Sequence, residues 1–226
     1  MWVWSEVLLG TALVAGGFWL VKTVYCWIRF RKSIQMEVYS NYLEYSIRRK
    51  KITRLSESWY FKSEFGKHRI FYQLAQTKKE KVPQAYVLIM LTSGLYILNV
   101  KNQSGKIYAK KKGDFRQIYT EKGKNGTEHT YLFKNPLEES RYFENQIRKR
   151  LTEETVPIQS LVVFPQKSEI IWEQEEDAEI PVIHRKQLFE WIKTDFEVNQ
   201  GRLAEKKIDG IYQELAEESI AAEKEM

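Results

Sequence analysis

A single lysine, Lys101, stands directly after an apolar run, Leu95 to Val100, with no loop between them, and Asn102 and Gly105 follow it. A long cation at the end of a buried strand can hold charge at the mouth of a site, although plain strand termination gives the same pattern. A second cationic group, Lys106 with Lys110, Lys111 and Lys112, has Tyr108 interleaved and could contact phosphates. Lysines at a sheet edge that block strand pairing would look the same. A third group, Arg29, Arg31, Lys32, Arg48, Arg49, Lys50 and Lys51, follows the apolar N-terminal stretch and could lie against anionic headgroups. Its alternative is the solvated face of a stalk.

Other chemistries are excluded by what is missing. The chain has no G-x-x-x-x-G-K-[ST], G-x-G-x-x-G, H-E-x-x-H or G-x-S-x-G. His68, His129 and His184 are far apart in sequence and are expected at the surface or at caps. With a single cysteine, Cys26, neither an intramolecular disulfide nor a structural zinc site is expected.

The elements that would position Lys101 begin with a hairpin. Val87 to Leu91 and Leu95 to Val100 are apolar and β-branched, and Thr92-Ser93-Gly94 joins them as a short turn. A helix is expected from Lys62 to Gln76 with Phe65, Ile70, Phe71 and Leu74 inward, followed by a basic loop, Thr77 to Lys81, and Pro83. After the hairpin, Lys106 to Ala109 reads as a third strand, Asn125-Gly126 as a turn and Thr130 to Phe133 as a strand. Asn135-Pro136 opens a helix whose inward stripe is Tyr142, Phe143, Ile147 and Leu151, with Glu138 and Glu139 at its positive end. Strands are expected at 157–164, 169–172 and 180–182, and a small helix at 185–194. Residues 202–226 form a charged helical tail that could dock through Leu203, Ile208, Ile211 and Leu215, fraying from Glu217 onward.

Residues 2–28 carry only Glu6 and Lys22 as charges and have Trp2, Trp4, Trp19, Tyr25 and Trp27 towards the ends. A hydrocarbon core of about 30 Å takes roughly 20 helical residues, so this stretch reads as one transmembrane helix. The basic cluster lies after the helix, which argues against a cleaved signal and places the following domain in the cytoplasm. Residues 33–55 have apolar positions near helical spacing and read as a juxtamembrane helix or stalk. The expected division is 1–28 anchor, 29–60 basic stalk, 61–195 globular domain and 196–226 tail. Charge is uneven along the chain: residues 29–112 hold 19 Lys/Arg against 5 Asp/Glu, and residues 113–226 hold 16 against 24. The basic part favours nucleic acid or anionic lipid, and the acidic part a protein partner.

T-S-G-L-Y-I-L-N-V-K-N-Q-S-G at Thr92–Gly105, then N-P-L at Asn135–Leu137, then L-V-V-F-P at Leu161–Pro165, together resemble the nuclease-related domain family. The resemblance covers about Glu64 to Lys193. It implies an α/β fold similar to restriction-endonuclease-like domains, a mixed central sheet flanked by helices, here preceded by the membrane helix. It also implies a D…(D/E)-x-K metal site, in which two carboxylates hold Mg²⁺ and a lysine orients water or stabilises charge on phosphate. On that pattern the first acidic position, eight before Gly94, falls on Tyr86, and the second, two before the lysine, falls on Asn99. Only Lys101 remains. A glutamine that the family often carries after N-P falls on Glu139, which the helix cap already explains.

Lacking both carboxylates, the chain is expected to need no cofactor and to be an inactive, membrane-anchored binding or scaffold module. Mg²⁺ would enter only if the site were shifted, with Glu64, Asn99 and backbone oxygens as ligands of an active nuclease. A purely structural membrane-associated interaction protein is the third expectation.

Overall fold

In the computed structural model the described residues are 2–75, 84–120, 127–152, 155–173 and 179–224. Helix α1 (Trp2–Arg31) leads into four short helices, α2 (Gln35–Val38), α3 (Tyr42–Arg48), α4 (Ile52–Leu55) and α5 (Trp59–Phe65). Strands β1 (Arg69–Ala75), β2 (Gln84–Leu91), β3 (Gly94–Val100), β4 (Gly105–Ala109), β5 (Phe115–Thr120) and β6 (Glu128–Phe133) then precede α6 (Pro136–Arg150). After α6 come β7 (Ile158–Phe164), β8 (Ser168–Trp172), β9 (Val182–His184), one 3-10 turn at Arg185–Gln187, α7 (Leu188–Asn199) and α8 (Glu205–Lys224).

The fold is mixed α/β, with two mixed sheets rather than the one expected. One sheet runs β1-β2-β3-β7-β9 and the other β6-β5-β4-β8. β3 and β7 are parallel neighbours in the first sheet, and their continuations β4 and β8 are parallel neighbours in the second. The chain therefore passes directly from the first sheet to the second twice, side by side, and Lys101 lies at the first of these crossings. There its amide donates to Val163 O at 2.9 Å, and Ser168 Oγ ties the same crossing by donating to Gln103 O at 2.7 Å.

The hairpin forms as its residues predict, with Val87 opposite Leu98 and Met90 opposite Leu95. Leu88, Ile89, Met90, Leu91, Leu95, Ile97 and Leu98 are wholly buried, each contributing about 1.5–3 kcal/mol by leaving water. Glycine is required at the turn: Gly94 has φ +146°, and a Cβ there would stand 2.6 Å from Pro157 O. The close approach lets Leu95 N donate to Pro157 O and starts the β3–β7 pairing.

Both faces of the first sheet are covered. One holds Phe30, Ile34, Val38, Phe61, Phe65, Leu188 and Ile192 against Ile70, Val87, Ile89 and Leu98. The other holds Phe143, Ile147, Ile208, Ile211 and Leu215 against Phe71, Tyr86, Leu88 and Ile97. Leu203, Ile208, Ile211 and Leu215 of the tail are buried as expected, and α8 continues past Glu217 to Lys224. Lys67 and Arg69 both pair with Asp209, fastening α8 beside β1 and holding the Asp209 carboxyl below the usual range.

Three local expectations are corrected. The helix expected at 62–76 ends at Gly66, whose φ is +71°, and the following residues are strand β1. Ile70 and Phe71 serve opposite faces of the sheet, which a strand permits and a single helix face does not. Residues 33–55 are three short helices folded onto the domain, because Tyr39 is extended and Asn41 starts a new helix by accepting from Glu44 N at 2.9 Å. Tyr142 is exposed, while Phe143, Ile147 and Leu151 point inward. The basic loop at Thr77–Lys81 with Pro83 and the Asn125-Gly126 pair lie outside the described residues, although β5 and β6, which flank that pair, are antiparallel neighbours.

His68 is buried rather than at the surface. Its Nε2 accepts from Ser58 N at 2.9 Å and its Nδ1 donates to Gly66 O at 2.9 Å, the neutral tautomer. Burial holds its pKa below the ordinary 6.5. Below about pH 6.5 the unfolded chain therefore binds a proton that the folded chain refuses, and stability falls with pH until the folded pKa is reached. Unfolding midpoints measured from neutral pH down to about 5.5 should show this loss. A His68→Gln variant should lack it.

Candidate functional site

Tyr86 and Asn99 are opposite one another across β2 and β3, and Lys101 is two residues beyond Asn99 on the same face. All three meet α6. That helix starts where its sequence says it should: Asn135 Oδ1 accepts from Leu137 N at 2.9 Å, Pro136 is at its first turn, and Asn135 Nδ2 donates back to Lys110 O and Lys111 O. The helix is thus fixed over the crossing between the sheets.

Each of the three residues is spent on this contact. The Tyr86 ring stacks on Phe143 with centroids 3.8 Å apart and planes at 12°. Asn99 is wholly buried and its Nδ2 donates to Pro136 O and Ser140 Oγ, both at 3.1 Å. Lys101 is 7% exposed, and its ammonium forms an ion pair with Glu139, itself 4% exposed. Lys101 is therefore inside the protein, at no open mouth, and Glu139, an acid in the first turn of α6 as expected, is also its counter-ion. The signal for this was present: Glu139, Phe143 and Ile147 follow one another at i, i+4 and i+8, so the carboxylate shares the buried stripe.

A family model, that of the nuclease-related domain, matches residues 44–165. The chain belongs to the nuclease-related domain family. No curated protein and no solved structure matches it.

In this nuclease-related domain the described residues gathered around Lys101 do not fit a divalent cation. Among the described residues no group of three or more His, Cys, Asp or Glu could hold one. Glu139 is taken by Lys101, and the Tyr86 ring fills the first acidic position with carbon. Glu64 cannot substitute: it is exposed, 4.0 Å from Lys193, and lines a cleft with Gly66 and Thr92 at the turn of the hairpin. Lys101 is at the other end of β3, a strand of seven residues spanning about 20 Å.

The cations singled out in the sequence fall into two places. Lys106, Lys111 and Lys112 are exposed on β4 and the loop after it, with Lys110 half-buried. Lys106 is beside Glu169 in the β4–β8 register, and the Tyr108 ring is covered by Arg116 at 4.3 Å. The other place is the end of α1 and α3, where Arg29, Arg31, Lys32, Arg49, Lys50 and Lys51 are exposed. Arg48 is different. It pairs with Glu44 at 3.0 Å and Glu57 at 3.8 Å and stacks over Trp59 at 5.3 Å, so it serves the fold.

Proposed function

We propose that the protein is a membrane-anchored nuclease-related domain that binds rather than cleaves, a module held at the cytoplasmic face by α1. The observation that carries this reading is the Lys101–Glu139 ion pair, buried under α6 where an active site would need an open, acidic metal pocket. An ammonium neutralised this way is positioned for packing and has no access to a phosphate. Support for the anchor is the Gly10–Arg31 segment, long and apolar enough to cross a membrane, with Leu13, Val14, Phe18 and Val21 exposed. Support for the orientation is Arg29, Arg31 and Lys32 at its end. Anionic lipid or nucleic acid are the ligands that its exposed cations suit, and no cofactor is required.

The purified full chain should cleave neither DNA nor RNA in Mg²⁺ or Mn²⁺. Cleavage that Lys101→Ala abolishes would overturn the reading. One observation favours a second reading, an atypical metal-dependent nuclease: Asn99 Oδ1 is buried with no hydrogen-bond partner among the described residues. Calorimetric titration with Mn²⁺ separates the two, because that reading requires heat of binding that Asn99→Leu removes.

A further inference from the structure

We infer that α3 is a membrane-contact element: its Leu43–Ile47 face sits in the anionic leaflet beside the emerging end of α1 and fixes the domain's orientation on the bilayer. This rests on the reading that α1 spans the membrane. The position of α3 follows from what holds it. Phe30, at the end of α1, is 6% exposed and is held between Tyr42, 5.8 Å edge-on, and Tyr45, 5.3 Å and stacked, both on α3. The Arg185 guanidinium donates to Arg31 O and Ser33 O and pairs with Glu37 at 3.0 Å, so the end of α1 is capped by the domain itself. α1 therefore enters the domain without a flexible stalk.

Residues 25–31 form the interfacial collar of α1, with Arg29 over Tyr25 at 5.9 Å and Arg31 over Trp27 at 4.9 Å. Aromatic rings and cations of this kind belong at headgroup depth. Because Tyr42 and Tyr45 pack on Phe30 inside that collar, α3 lies at the same depth. Leu43 and Ile47, one turn apart on α3, are 67% and 44% exposed there, and Trp59 beside Arg48 is 52% exposed. Exposed apolar side chains at this depth meet acyl chains rather than water. Arg49, Lys50 and Lys51, all exposed, complete the surface with charge opposite to that of an anionic leaflet.

The test places a nitroxide on Leu43→Cys or Ile47→Cys in the full chain, with Cys26→Ser, reconstituted in phosphatidylcholine–phosphatidylglycerol vesicles. Labels at Val14→Cys in α1 and at Val198→Cys, 77% exposed at the far end of α7, serve as references. Collision with oxygen relative to a nickel chelate should be raised at 43 and 47 towards the value at 14 and should exceed that at 198. Chelate access at 43 and 47 equal to that at 198, with 14 still in lipid, would overturn the inference and leave the anchor standing. A label at 14 that met the chelate freely would remove both.

Discussion

Replacing Glu139 by alanine should cost about 3–5 kcal/mol, because it leaves the Lys101 ammonium buried and unpaired. For a chain of this size that is a fall in melting temperature on the order of 10 °C, measurable by thermal unfolding of the detergent-solubilised full chain. Lys101→Ala should also be destabilising, because it removes the cation that faces the buried Glu139 carboxylate. The double variant Lys101→Met, Glu139→Leu is expected to fold at least nearly as well as the parent, since exchanging a whole buried pair for apolar volume is often neutral or stabilising. A Glu139→Ala variant that melted with the parent would show that the pair is not part of the scaffold. The charge would then be free for chemistry.

Glu44→Ala should lose a comparable 3–5 kcal/mol for a different reason. Glu44 is wholly buried and accepts from Ser40 N at 2.9 Å, Ser40 Oγ at 2.7 Å, Arg48 Nε at 3.0 Å and Trp59 N. One carboxylate thus joins the start of α3, its last turn and the first residue of α5. Removing it takes the acceptor from the Ser40 and Trp59 amides and leaves Arg48 only Glu57 and Arg54 O as partners. Glu44→Gln keeps the shape and part of the acceptor set and should fall between parent and alanine variant. Denaturant midpoints for the three should fall in that order, and equal midpoints for all three would refute the staple.

The hairpin, the tail and the Asn135-Pro136 helix start were legible because short-range rules decide them. Turn chemistry sets the first, a helical apolar stripe the second, and an asparagine cap with proline behind it the third. The four short helices were not legible as such, since Ile34, Val38, Tyr42 and Tyr45 keep helical spacing across a break. The signal for the break was the Asn41-x-x-Glu44 pattern, a side-chain cap that starts a fresh helix. Phe65, Ile70, Phe71 and Leu74 fit one helix face because four apolar residues satisfy a period of 3.6 without regard to Gly66 between them. At the site, the places of Tyr86, Asn99 and Lys101 were legible through the family pattern. Their partners were not, because Phe143, Ser140 and Glu139 meet them only when α6 is laid across two sheets.

The cap that Arg185 places on Arg31 O and Ser33 O joins residues 154 and 152 positions apart in sequence. The core around Phe30 and Ile34 likewise waits for Leu161, Leu188 and Ile192. A ribosome delivers α1 before the domain, so its last turn must remain uncapped until most of the chain has been made. Native contacts of such separation close slowly, since loop entropy is lost before any packing is gained. α1 is therefore complete well before its last turn is capped, and that interval includes the time needed to translate as far as α7.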